Sequence, residues 1–218
     1  MGADFFQTMN CCLSSTYLGP ISYYSKLYGA DTVSMEQWEH YVKQTYRNRC
    51  VIAAAGGPLA LTIPTESNGG KKCLMRDVRI SDHGNWRHLH WNALESAYRQ
   101  SPFFEYYADD FRPFYEKKID FLLDFNEELR HLVCSLIGFT PKVKLTDEYL
   151  HDVPEGMIDL RNCICPKQDF RHDSTFVAHP YYQVFSARYG FLPNLSIADL
   201  LFNMGPESLL VLRDSVSF

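Results

Sequence analysis

No run in the chain approaches the ~18 consecutive apolar residues of a membrane-crossing helix. Also missing are G-x-G-x-x-G, the P-loop lysine pattern, H-E-x-x-H and G-x-S-x-G. These gaps remove the usual signatures of nicotinamide or flavin binding, phosphate-loop NTPases, zincins and serine hydrolases. Gly and Pro number only 12 and 11 in 218 residues, too few for collagen-like or low-complexity chains. Seven cysteines are an odd number, and their spacings form no framework of pairs. Cationic excess is lacking too: 21 Lys and Arg against 26 Asp and Glu leave a net charge of −5. Without a basic field, duplex nucleic acid is not an expected partner.

What is present is ordinary hydrophobicity, 46% apolar, enough for one substantial core and far from the disordered range. Aromatics are the outlier, with 14 Tyr and 15 Phe. Tyrosine combines an apolar ring with a polar tip, so this excess is read as a wide amphipathic groove or partner surface. The start of the chain carries Asp4 and Asn10 and no basic-then-apolar signal. Together with the unpaired thiols, this predicts a reducing, cytoplasmic setting.

Periodicity and punctuation predict a single mixed α/β domain over residues 10–218, behind a flexible leader at residues 1–9. The apolar run Cys11–Leu13 predicts a strand, and Pro20 opens a helix through Leu27. Residues 41–55 and 59–64 flank Gly56-Gly57-Pro58 and predict a β-hairpin beside a central sheet. Cys73–Ile80 reads as a further strand, and Trp86–Arg99 as a helix with Leu89, Ala93 and Ala97 four apart. One long amphipathic helix is predicted from about residue 113 to 137, with Gly138 and Pro141 as its stop. Val143–Leu145, Met157–Leu160 and Tyr181–Phe185 are shorter elements. Ser196 and Asp199 form a capping-box pattern ahead of C-terminal helices reaching Met204 and, after Gly205-Pro206, Leu212.

Several segments in order resemble one family: Ser15–Pro20 before the aromatic helix Tyr23-Tyr24-Ser25-Lys26-Leu27, Lys43–Arg49 before Leu61-Thr62-Ile63-Pro64, Trp86 with His90, and Phe191–Gly205. The chain is similar here to the WbqC-like proteins of bacteria, over roughly residues 11–212, with the last segment the most specific. That resemblance implies a place in O-antigen or related surface-polysaccharide synthesis, without a defined reaction.

Four features carry candidate chemistry. Lys43, Thr45, Arg47 and Arg49 would share one face if residues 43–49, including Asn48, are extended. Guanidinium forks suit phosphate or carboxylate; the alternative is a solvated face offset by Glu36 and Glu39. The turn at Thr16–Pro20, with Gly19, would aim helix N–H groups at an anion, unless it is a structural turn packed by Tyr17 and Tyr23. His90, placed by the resemblance as well as by Trp86, is the proton-transfer candidate; otherwise it is a histidine satisfied inside a helix–sheet interface. Asp199 and Asn203 lie one helical turn apart and could bind sugar hydroxyls or position a base, or serve only as caps. His88-x-His90 and Cys163-x-Cys165 lack metal-site spacing.

The reading is therefore an enzyme of surface-glycan synthesis that transfers or modifies a group on a nucleotide- or lipid-linked sugar. His90 and Asp199 would be catalytic; Lys43, Arg47, Asn48, Arg49, Tyr17, Gly19, Tyr23, Tyr24 and Asn203 would bind the substrate. Its partner would be a phosphate- or carboxylate-bearing small molecule, a nucleotide sugar first, with oligomerisation open and no metal or cofactor indicated. The alternative is a non-catalytic binding or scaffold subunit.

Overall fold

The protein is described by a computed structural model covering residues 9–67 and 69–217. Of the leader expected at residues 1–9, residues 1–8 lie outside the described residues, while Met9 is buried in the core.

A four-stranded sheet organises the molecule: β1 (Asn10–Ser14), β2 (Thr32–Glu36), β5 (Val143–Leu145) and β6 (Met157–Asp159), in the order β5-β2-β1-β6. Every pairing is parallel, with Leu13 opposite Met35, Cys12 opposite Asp159 and Met35 opposite Leu145. Between β1 and β2 runs α1 (Ile21–Gly29), the crossover that parallel neighbours require. Because parallel strands are covered on their faces, β1 is apolar at consecutive positions, and Cys11, Cys12 and Leu13 are all buried.

The expected hairpin forms from β3 (Arg49–Ala54) and β4 (Gly57–Thr62), paired from Arg49 with Thr62 to Ala54 with Gly57. It stands as a separate two-stranded sheet. Residues 73–80 are not the strand their composition predicts. Met75–Asp77 form a single 3-10 turn, held at its flanks by isolated bridges from Leu74 to His40 and Ile80 to Thr65. Tyr181–Phe185 likewise form no strand.

Periodicity over 113–137 merges what are two helices, α3 (Phe104–Glu116) and α4 (Leu122–Ile137). The chain extends at Lys117 and again at Phe121. There the Asp120 carbonyl accepts from Ile80 N–H and the Leu122 N–H donates to the Val78 carbonyl. Backbone groups a continuous helix would use internally are thus taken by residues 78–80. Pro113, read as a helix start, sits instead in the last turn of α3. The stop at Gly138 is as expected: its φ of 93° is left-handed, and its N–H donates to the carbonyls of Cys134 and Ser135.

The helix α2 (Trp86–Tyr98) packs between α3 and the hairpin. After the short α5 (Ser186–Tyr189), α6 (Ile197–Met204) lies at the centre, buried from Ile197 through Asn203, with α7 (Ser208–Asp214) following. Its five apolar residues from Ile197 to Phe202 suit an interior helix, and its two polar ones, Asp199 and Asn203, are buried with them. Around its Phe202 stand Tyr98, Phe104 and Phe111, ring centroids 5.0–5.3 Å away.

This clustering corrects the reading of the aromatic excess as a broad groove. Tyr17, Tyr23, Tyr24 and Tyr98 are fully buried, because rings in edge or tilted contact fill volume while the hydroxyls of Tyr17, Tyr23 and Tyr98 find internal partners. All seven cysteines are free. Burial pushes the thiols of Cys11, Cys12, Cys50 and Cys134 up to about 12, which makes them packing groups rather than nucleophiles.

Half of the capping box is present. Ser196 Oγ accepts from the Ala198 N–H at 3.3 Å and donates to the Leu18 carbonyl at 2.7 Å. Asp199 turns inward instead. Ser196→Ala is expected to cost about 1 kcal/mol, a fall in melting temperature of roughly 2–4 °C for a chain of this size. An unchanged thermal transition would show that the cap contributes nothing.

Candidate functional site

Open parallel sheets bind ligands outside the carboxyl ends of their strands, and those ends gather unusual chemistry here. From β2 the chain leaves at Glu36, which is fully buried. Its Oε1 accepts from the Trp38 N–H at 2.8 Å and the Thr146 hydroxyl at 2.9 Å. Its Oε2 accepts from the Leu150 N–H at 3.0 Å and from Arg161 Nη1 at 3.2 Å. Thr146 and Leu150 follow β5, and Arg161 follows β6. One carboxylate therefore ties three strand ends together.

Arg161 is satisfied at every nitrogen. It reaches the Leu150 carbonyl at 2.7 Å and Asp159 through Nε and Nη2 at 2.9 and 2.6 Å. Those hydrogen bonds hold the Asp159 carboxyl below the usual carboxylate range despite partial burial. A second fork lies beside the first. Arg47 donates from Nε to Glu39 at 2.7 Å and from Nη2 to Ser14 Oγ, at the end of β1, at 2.8 Å. Its Nη1 has only Thr45 Oγ1, at 3.4 Å.

Over these paired charges opens a cavity of about 490 Å³, lined by Trp38, Glu39, His40, Val42, Arg47, Tyr149, His151, Arg161 and Asn162. Its aromatic walls are braced: the Arg161 guanidinium stacks 5.1 Å from the Tyr149 ring, Tyr149 meets His151 edge-on, and Arg76 stacks on Trp38 at 4.2 Å. His40 and His151 are exposed, and Glu39 is held by the buried Arg47. The arrangement can stack a ring, hydrogen-bond hydroxyls and move a proton through an imidazole. It is poorly suited to gripping an anion directly, since both guanidiniums already face carboxylates. Among the described residues no group of three or more His, Cys, Asp or Glu could hold a metal ion.

The residues singled out from sequence are dispersed. Residues 43–48 form turns, with Gln44 at a φ of 60°, so Lys43, Thr45, Arg47 and Arg49 do not share a strand face. The reason is local: Thr45 Oγ1 donates to the Val42 carbonyl and Tyr46 O accepts from the Tyr17 N–H, which curls the segment. Arg47 reaches the cavity; Lys43 is exposed beside a different hollow. Asn48 is buried and donates to the Ile63 carbonyl, and Arg49 Nε donates to Thr62 Oγ1.

The turn at 16–20 is not an open anion cradle. Of the first α1 amides, Ile21 donates to the Leu195 carbonyl and Ser22 to Asn194 Oδ1. Gly19 is dictated by packing, since a Cβ there would stand 2.5 Å from Thr16 Oγ1.

His90 lies inside the helix–sheet interface. Its Nδ1 is 3.0 Å from the Tyr17 hydroxyl, which is 2.9 Å from that of Tyr115, and Trp86 packs edge-on at 5.1 Å. Burial lowers its pKa to about 4, although a hydrogen bond to the Thr62 backbone works the other way. The ring is therefore neutral at pH 7.

Asp199 is equally internal. Its Oδ1 accepts from Tyr98 at 2.8 Å, and Oδ2 accepts from Tyr181 at 2.5 Å and Gln183 Nε2 at 3.0 Å. Desolvation raises its pKa, and the three hydrogen bonds oppose that rise. Asn203 Nδ2 donates to the Asp199 carbonyl. Tyr17, Tyr23, Tyr24, His90, Asp199 and Asn203 do not line the strand-end cavity.

Sequence reasoning missed Trp38, His40, Tyr149, His151 and Arg161. Alternation at Val33 and Met35 is the signal that could have exposed β2, and with it Trp38 and His40 just past a strand end. The other three follow loops with no local signature.

A family model described as "WbqC-like protein family" matches residues 15–173. A relative from Mycobacterium tuberculosis, "Uncharacterized protein Rv1507c", is 25% identical over 219 residues, covering 90% of this chain and 94% of the relative. No solved structure matches.

Proposed function

This chain belongs to the WbqC-like protein family, and from that membership together with the chemistry of the strand-end cavity we propose that it is a cytoplasmic enzyme of surface-glycan synthesis acting on an activated sugar. The observation that carries the reading is the cavity of about 490 Å³ at the carboxyl ends of β1, β2 and β6, walled by Trp38 and Tyr149 and edged by His40 and His151. Sugars present apolar ring faces and hydroxyl rims, which aromatic walls with adjacent polar groups complement.

In this reading a sugar hydroxyl or amine attacks the transferred group of a donor. The bond between sugar and group forms as the donor's bond to its leaving group breaks, and the electron pair leaves with that group. His40 or His151 accepts the nucleophile's proton and returns it to the leaving group, so the imidazole ends as it began. Arg47 and Arg161, anchored on Glu39, Glu36 and Asp159, keep the walls in place. His90 and Asp199 support the scaffold as buried positioning groups.

The rival reading, a docking subunit with an aromatic face, is less favoured because the aromatic clusters are internal. Unpaired thiols support the cytoplasmic setting. No helix among the described residues is long and apolar enough to cross a membrane.

The test is thermal melting with a set of nucleotide sugars, repeated with His40→Ala and His151→Ala. A true ligand at tenfold excess over its Kd is expected to add about 1.4 kcal/mol, roughly 3–6 °C. Trp38→Ala is expected to abolish that shift. If no nucleotide sugar moves the transition of folded protein, or if Trp38→Ala leaves the shift intact, the reading fails.

A further inference from the structure

The segment that walls the strand-end cavity has a second side. Successive residues of an extended chain point in opposite directions. His40 and Val42 face the cavity, whereas Tyr41 and Lys43 line a separate hollow of about 230 Å³. The segment is held there by the Tyr41 N–H donating to the Cys73 carbonyl and by the bridge between His40 and Leu74.

Four cations converge on this hollow: Lys43, Lys71, Lys72 and Arg79. Glu66 is the one carboxylate in its lining. None of the four basic side chains enters an ion pair or a side-chain hydrogen bond among the described residues. Several cations elsewhere are paired: Arg47, Arg87, Arg130, Arg161, Arg171 and Lys26 face carboxylates within 3.3 Å, whereas the hollow brings four unpaired ones to a single concavity. Arg79 is further fixed by stacking its guanidinium 4.5 Å from the Phe121 ring, so its fork is pre-oriented.

Gathering like charges in a concavity costs repulsion, and a net charge of −5 supplies no general reason for it. A multiply charged anion in the hollow would repay that cost. Three ammonium groups and one guanidinium match a group with several phosphoryl oxygens better than they match a single carboxylate.

We propose that the hollow formed by Lys43, Lys71, Lys72 and Arg79 is a binding site for a pyrophosphate-type anion, distinct from the cavity beside Arg47. The proposal does not depend on the sugar-transfer reading, because it concerns binding alone. Lysines supply mobile point charges, and Arg79 supplies the fixed fork. Glu66 limits affinity by its own charge.

Isothermal titration of the full chain with inorganic pyrophosphate in low-salt buffer tests this. One saturable site is expected, and Lys71→Ala/Lys72→Ala should weaken it at least tenfold. All four side chains are exposed, so folding should be untouched. Glu66→Gln supplies an independent readout, because affinity should rise severalfold, which no loss of structure could produce. Lys144→Ala/Lys167→Ala, the same charge change elsewhere, should leave the affinity within twofold, and His40→Ala should retain pyrophosphate binding even if sugar recognition is lost. A parallel titration with a nucleoside diphosphate separates sources: tighter binding than pyrophosphate assigns the phosphates to a nucleotide, and equal binding assigns recognition to the phosphoryl pair alone. No saturable pyrophosphate binding, or equal weakening by the distant lysine pair, would overturn the site.

Discussion

Glu36→Ala is expected to destabilise the protein by about 3–5 kcal/mol, the range for breaking a buried ion pair and leaving its partner behind. Four donors converge on this carboxylate: the amides of Trp38 and Leu150, the Thr146 hydroxyl and Arg161. Alanine offers none of them an acceptor. Arg161 would keep Asp159 but lose its fully buried counter-charge. Glu36→Gln retains one acceptor oxygen and the side-chain volume, so its loss should be smaller, about 1–3 kcal/mol. Denaturant titration with an unchanged m-value would report the difference cleanly. Because the same residue joins the ends of β2, β5 and β6, ligand binding in the cavity should fall with stability. A loss under about 1 kcal/mol for Glu36→Ala would mean the strand ends are held by the sheet alone.

The second large effect is one of acidity. His90 is buried against Tyr17 and Trp86 and titrates at about 4 in the folded protein, against about 6.5 in an unfolded chain. Between those values the unfolded chain takes up a proton that the folded ring refuses. Stability from this group is therefore complete above about pH 7 and is lost as pH falls through 6.5 toward 4. The loss amounts to about 3 kcal/mol. Asp199 works in the opposite sense. Its carboxyl is raised by burial, so in the window above the ordinary carboxylate value the unfolded chain ionises first, and stability falls as pH rises. Subtracting the stability curve of His90→Gln from that of the parent isolates the histidine. The difference should change by about 3 kcal/mol between pH 7 and 4. A flat difference would show that the ring is reached by solvent or protonated in the folded state. The same depressed pKa makes His90 a feeble proton acceptor, so in the proposed reaction that part falls to the exposed imidazoles of His40 and His151.

Much of the framework is legible in the sequence because its signals are local. The apolar run at Cys11–Leu13, the glycines between two β-rich runs, Gly138 after an amphipathic stretch, and Ser196 ahead of Ile197 each act over a few residues. Failures occur where a distant segment takes over a local preference. The backbone at 120–122 is captured by residues 78–80, which divides one periodic pattern into two helices. Alternation at 43–49 imitates a strand, yet Tyr46 is drawn to Tyr17 and the run curls. Strand β2 is a weak signal because its last residue, Glu36, is a charge where composition predicts an apolar side chain.

By itself the sequence determined the class of the molecule: one α/β domain, acidic, without membrane-crossing helices among the described residues, and kin to one family across most of its length. Those properties follow from composition and short-range pattern, which survive any arrangement of the parts. Only the tertiary structure decided which polar residues meet. Glu36, Arg47, Tyr149 and Arg161 are separated by up to 125 residues and share a region because parallel strands place their carboxyl ends side by side. His90 and Asp199, the most suggestive residues in the linear text, were turned inward because neighbouring tyrosines could satisfy them there at less cost than water could be admitted.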